Sequence, residues 1–166
     1  NIQWYPGHMT KAKRQMVENA KKVDGVLEVL DSRIPLSSRN PDFDNIFANK
    51  KRLIVLNKAD LGDSKLIKEW IEFYKAKGID TIELCATRKN DKTKLIRFIQ
   101  KSLEEKIARN KTRGIKKDIK LMIVGIPNSG KSTVINLLAN QASAKTGNKP
   151  GVTRGQQIIR VAQGIV

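Results

Sequence analysis

Short apolar runs alternate along this chain with longer stretches whose apolar residues recur every three or four positions. Met9, Ala12, Met16, Ala20 and Val23 follow that spacing and share one helical face. "GVLEVLD" at 25–31 is apolar and β-branched, and the polar "DSRIPLSSRNPD" follows it, which predicts a strand and then a long loop. A short amphipathic helix is predicted around Phe43 to Ala48, a second strand over "RLIVL", and a helix over "SKLIKEWIEFYKAKG" with Gly78 near its C-cap. "DTIELCA" predicts a third strand, and "KTKLIRFIQKSLEEKIAR" returns to helical period. "ARNKTRGIKKDIK" has almost no apolar content and predicts an exposed connector, not an element. "KLMIVG" predicts a fourth strand, "GKSTVINLLAN" a helix, "QASAKTGNKPGVTRG" a mobile loop and "QQIIRVAQGIV" a final strand. Strands alternating with helices imply an α/β fold, with a mostly parallel sheet and helices on both faces.

The length of 166 residues fits one domain plus an arm. Residues 1–24 are expected to form a basic helix packed on a domain spanning 25–166. Charge sharpens the picture: 33 Lys and Arg stand against 16 Asp and Glu, a formal charge of +17. That excess exceeds what solubility requires and points to a polyanion. A membrane fits poorly, because the longest apolar run, "LMIVGI", is far too short to span one and no basic stretch is aromatic-rich. RNA or DNA is the better expectation. Lys11, Lys13, Arg14, Lys21 and Lys22 lie mostly off the apolar face of the first helix and are the candidate RNA contacts. The single cysteine, Cys85, excludes an intrachain disulfide, and no hydrophobic signal segment opens the sequence, so a reducing, cytoplasmic setting is expected.

Gly125-Ile126-Pro127-Asn128-Ser129-Gly130-Lys131-Ser132 fits G-x-x-x-x-G-K-[ST] between a strand and a helix, the context this phosphate loop requires. Backbone N–H groups of the loop, Ser129 and Thr133 included, would face phosphates. Lys131 would supply charge to the outer ones, and Ser132 a hydroxyl to Mg2+. The base is addressed by Asn57-Lys58-Ala59-Asp60, at the end of "RLIVLN". A carboxylate there accepts from both N1–H and the exocyclic amine of guanine, a donor pair that adenine lacks. Lys58 would support the ring, and Asn57 would tie the two loops together. On its own this tetrapeptide reads equally as a strand-to-helix turn; beside a phosphate loop it points to GTP and GDP. Cys85-Ala86-Thr87 stands where GTPases usually carry Ser-Ala-x, whose backbone N–H meets the guanine carbonyl oxygen.

The order is unusual, because in most GTPases the phosphate loop comes first. Cutting a Ras-like P-loop domain between its magnesium strand and its guanine strand, and joining the old ends, reproduces the order seen here. Such a rearrangement is tolerated because domain termini lie at the surface and often close together. The basic segment 107–118 would be the joining connector.

"WYPGHMTKAKRQM", "VLDSRIPLSSRNP", "NKAD", "GIPNSGKST" and "GNKPGVTR", in that order, resemble the YlqF/RbgA family of circularly permuted GTPases. The resemblance spans essentially the whole chain. It implies a Ras-like P-loop fold, circularly permuted, and a GTP-hydrolysing switch acting in assembly of the large ribosomal subunit, with ribosomal RNA as partner. A monomer is expected. The resemblance implies that Thr153 meets Mg2+ and the γ-phosphate, and that Asn128 is the asparagine associated with K+ stimulation. It further implies that His8 positions or activates the attacking water; read without the family, His8 is a helix-entry residue packing locally. "DSRIP" has no role derivable from the residues.

Beyond Asp118 there is no Asp or Glu, so the family's Asp-x-x-Gly is not among these residues. A chain cut short before that motif and before the family's C-terminal helical domain is the expectation, with Asn1 not necessarily the natural start. The alternative function is then a GTP-binding, RNA-tethering module without efficient hydrolysis. A small-molecule kinase does not explain Asn-Lys-x-Asp.

Overall fold

A computed structural model describes residues 9–33, 42–85, 90–125, 130–139, 144–147 and 156–161. β1 (Gly25–Asp31) is buried along its whole length. A strand covered on both faces needs apolar residues at successive positions, and that is why its sequence shows a run instead of an alternation. β2 (Lys51–Asn57) and β4 (Ile119–Gly125) flank β1 in parallel, and β3 (Asp80–Glu83) continues parallel beyond β2. β6 (Gln156–Val161) pairs antiparallel with β4, and β5 (Ala144–Gly147) with β6, giving the order β3-β2-β1-β4-β6-β5.

Successive strand residues face opposite ways, and the core divides accordingly. Leu27, Val29, Leu53, Val55, Leu121 and Ile123 pack under α4 (Asp91–Ser102) and α6 (Lys131–Ala139), against Leu95, Ile99, Val134 and Leu138. On the other face Val26, Met122 and Val124 meet α1 (Met9–Ala20) and α2 (Phe43–Ile46) through Met16, Ala20, Phe43 and Phe47. Leu30, Ile54 and Leu56 meet α3 (Ser64–Ala76) through Ile67 and Tyr74. Glu28 is buried on this same face of β1. Arg52 Nη2 lies 3.5 Å from its carboxylate, and Arg52 Nη1 lies 2.6 Å from Asp44. A charge removed from water persists when it is paired this way.

The helical face predicted for α1 is buried at Met16 and Ala20, with Val23 following; the side chains of Met9 and Ala12 lie outside the description. α3 starts where Asp63 accepts from the N–H groups of Lys65 and Leu66, at 2.9 and 3.2 Å.

Two predicted segments differ. The connector expected over "ARNKTRGIKKDIK" is partly helical, because α5 spans Glu104–Thr112 after a break at Leu103. Ile107 packs it against the core, and charge supports its ends: Glu104 and Glu105 sit in its first turn and Arg109 and Lys111 in its last, opposing the helix dipole. It ends at Gly114 (φ +69), where Ile115 N–H donates to Asn110 O and Gly114 N–H to Lys111 O, at 2.8 and 3.2 Å. Likewise, part of the predicted loop "QASAKTGNKPGVTRG" is β5, whose pairing partner β6 supplies the ladder that its own small and polar residues do not announce.

Candidate functional site

Register brings the two candidate loops together. Asp31 pairs with Asn57, and Val29 with Gly125, so the loops after β2 and β4 leave the sheet on either side of the end of β1. Ligands of open parallel sheets bind outside these carboxyl ends.

The loops touch. Asn57 is buried, and its side chain lies so close to Gly130 that a Cβ there would collide with Asn57 Nδ2 and approach Lys58 Cε to 3.8 Å. Gly130 also has φ +89, a conformation that side chains rarely adopt. Both facts require glycine at this position. Gly130 O accepts from Val134 N–H at 3.1 Å and so opens α6. Lys131, in the first helical turn, is half-buried, and loss of water pushes its ammonium below the ordinary lysine range. A phosphate beside it would favour the charged form and oppose that shift. Ser132 and Thr133 follow, exposed. A helix N-terminus with a desolvated lysine and exposed hydroxyls suits a phosphate chain.

On the base side, Lys58 is the one non-glycine described residue with positive φ (59°). Four contacts hold it there. Ser32 Oγ donates to Lys58 O at 2.8 Å, and Ser32 N–H to Asn57 O at 2.9 Å. Ala59 N–H donates to Leu84 O at 3.1 Å, and Lys58 Nζ lies 3.7 Å from Asp31 Oδ2. Arg33 grips the same carboxylate through Nε and Nη2, at 3.0 and 2.7 Å, and its backbone N–H adds a bond of 2.9 Å. The Arg33 side-chain bonds hold Asp31 below the usual carboxylate range, although burial pushes it the other way. The 3-10 turn Ala59–Leu61 then presents Asp60 to solvent. Cys85 is buried, and its backbone N–H donates to Asp91 Oδ2 at 2.6 Å, anchoring the segment that leads to Ala86.

Asp31, Ser32 and Arg33 are the site residues that sequence reading missed. "DSRIP" stood out as a motif but carried no role, because the backbone that Ser32 holds lies 26 residues away. The structure brings together Asn57, Lys58, Gly130 and Lys131. His8, Ala86, Thr87, Asn128, Ser129 and Thr153 lie outside the described residues. Lys11, Lys13, Arg14, Lys21 and Lys22 are all exposed on or just after α1; Lys13 lies 3.6 Å from Asp42 and Lys21 3.2 Å from Glu18.

Among the described residues no three His, Cys, Asp or Glu side chains cluster as a metal site. The exposed Ser132 hydroxyl beside Lys131 fits a Mg2+ held jointly with phosphate oxygens, the usual mode for that ion.

A phosphate loop after β4 and Asn-Lys-x-Asp after β2, meeting across the end of β1 but reversed in chain order, define a circularly permuted P-loop GTPase domain. Residues 120–165 match the family described as 50S ribosome-binding GTPase. The chain is 47% identical over 162 residues to ribosome biogenesis GTPase A of Priestia megaterium, covering 96% of this chain and 56% of that protein. It is 36% identical over 157 residues to mitochondrial ribosome-associated GTPase 1 of Mus musculus, covering 91% and 48%. The solved structure of GNP-bound YlqF from T. maritima superposes with a TM-score of 0.59 at 30% identity, over 85% of this chain and 54% of that one. The chain belongs to the YlqF/RbgA family of circularly permuted GTPases. It spans about half the length of the relatives it matches.

Proposed function

We propose that the chain binds GTP and GDP with Mg2+, hydrolyses GTP, and serves as a nucleotide-controlled switch in assembly of the large ribosomal subunit, with ribosomal RNA as its partner. The observation that carries this reading is the seating of Asn57 against Gly130, which fixes the base loop to the phosphate loop. Asp60 would accept the two guanine donors, with Lys58 along the ring and the backbone after Cys85 toward the carbonyl oxygen. Lys131 would bind the outer phosphates, and Ser132 and Thr153 would hold Mg2+, which supplies charge neutralisation during phosphoryl transfer. His8 would orient the attacking water, and Asn128 would serve a K+ ion. The setting proposed for the chain is the cytoplasm. No helix among the described residues is long and apolar enough to cross a membrane.

The test is binding of GTP, GDP and ATP, and turnover of GTP in K+ or Na+ buffer, each with and without large subunits. Tight guanine binding, weak ATP binding and turnover raised by subunits in K+ are expected. Equal affinity for ATP would remove the base assignment, and tight binding without turnover in any condition would leave a tethering module.

A further inference from the structure

At the amino end of the sheet, opposite the nucleotide loops, lies an open groove of about 960 Å3 between the starts of β1, β2 and β3 and the helices α3, α4 and α5. Eight basic side chains line it, against four acidic ones. Two of the acids are already engaged: Asp80 lies 3.2 Å from Lys51, and Asp24 lies 3.5 Å from Lys106 while accepting from Lys120 N–H at 2.8 Å. Lys22, Lys75, Lys101 and Arg109 converge from α3, α4, α5 and the end of α1, all exposed, and none meets a carboxylate among the described residues. Four long cations held apart around a concavity repel one another, and a polyanion relieves that repulsion.

We infer that this groove binds the phosphate backbone of folded, double-stranded RNA. Its shape and chemistry choose among anions. Unpaired RNA is gripped by stacking on aromatic faces, and the one aromatic here, Phe98, is partly buried against the core. Duplex RNA is held through phosphate and sugar contacts, which lysine and arginine supply. A bilayer is flat and welcomes apolar side chains, yet the exposed large apolar residues, Val17, Leu61, Leu66, Phe73 and Ile115, do not line this concavity. The strands are seven residues long, so the groove lies roughly 20 Å from the nucleotide loops. That exceeds the screening length of about 8 Å at physiological salt, so changing its charge leaves nucleotide affinity intact. The choice of RNA rests on the ribosomal reading above; the phosphate chemistry rests on the groove alone.

The experiment titrates a labelled RNA hairpin with the full chain across a range of salt. It compares wild type, the set Lys75→Glu, Lys101→Glu and Arg109→Glu, and a control set of equal charge change away from the groove, Lys65→Glu, Lys68→Glu and Lys94→Glu. Affinity should fall about tenfold or more in the groove set, and the salt slope should drop by about two units, with little change in the control set. GDP binding, measured on wild type and the groove set, should be the same. Its loss in wild type itself would sink the GTPase reading and leave this one standing. Equal losses in both sets, or none in either, would overturn the groove assignment. So would binding to phosphatidylserine vesicles, but not to RNA, that depends on these three residues. Because Arg109 helps end α5, the glutamine set Lys75→Gln, Lys101→Gln and Arg109→Gln is measured too; it should lose affinity with an unchanged melting temperature, and retained affinity would overturn the proposal.

Discussion

At the carboxyl end of the sheet the base loop is held by bonds that fix particular backbone groups, such as Ser32 Oγ on Lys58 O at 2.8 Å. At the amino end, half of the lysines and arginine lining the groove have no fixed partner among the described residues. The contrast separates two kinds of recognition. A base that must be told from other bases needs donors and acceptors set before it arrives, since any freedom left there weakens discrimination. A phosphate backbone presents the same charge at every step, so flexible cations serve it well, with affinity that falls as salt rises.

The comparison breaks most sharply at Asp60. If Asp60 reads the base, the side-chain amide NH2 of Asp60→Asn would face the guanine amine, donor against donor. Removing one partner of such a charged pair costs roughly 2–5 kcal/mol, so GTP affinity should fall about thirtyfold or more. Xanthine carries an oxygen in place of that amine, and xanthosine triphosphate should bind the variant better than GTP does. RNA affinity at the far end should not move. A variant with wild-type GTP affinity and no gain for xanthosine would show that Asp60 does not read the base.

Ser32→Ala tests whether the brace behind the base loop matters as much as the loop. It removes the bond to Lys58 O, and Lys58 holds a left-handed conformation that a free lysine avoids. A hydrogen bond of this kind contributes about 1 kcal/mol, so GDP affinity should fall about fivefold, again with RNA binding unchanged. If RNA affinity fell with it, the two ends would not be independent and the contrast would fail.

How far the sequence foretold each end follows the same division. β1, β2 and β4 were legible because buried parallel strands need unbroken apolar runs, and the two motifs were legible because each packs its chemistry into a few consecutive residues. The brace was not: Asp31, Ser32 and Arg33 acquire their role only when β1 is laid beside β2, and no local pattern records that pairing. The groove was half visible. Lys21 and Lys22 were picked out from the charge on the first helix, while Lys75, Lys101 and Arg109 are scattered along the chain and converge only in space. Only the last turn of α5, beyond Arg109, was read as connector, because it carries no apolar residue to extend the helical period.

The smallest effect expected concerns pH and separates the brace from the groove by what titrates. Asp31 has a folded-state pKa below its ordinary value of 3.8, chiefly through the hydrogen bonds from Arg33. A carboxylate whose pKa is depressed by folding stabilises the fold fully above that ordinary value, and the contribution disappears as pH falls through the folded value. Asp31→Asn should therefore be less stable than wild type near neutrality, and the gap should close as pH drops below about 3.8. Urea unfolding of both proteins at neutral pH and in acid measures the gap directly. The other carboxylates titrate in both proteins and cancel in the difference. The effect stays small because Arg33 lies at the surface, where water screens its charge. Salt gives the complementary check: Asp31 is nearly buried, so the gap should weaken far less with salt than RNA binding at the groove. A gap that ignores pH would mean that Asp31 braces the loop by its shape alone, with the charge from Arg33 contributing nothing.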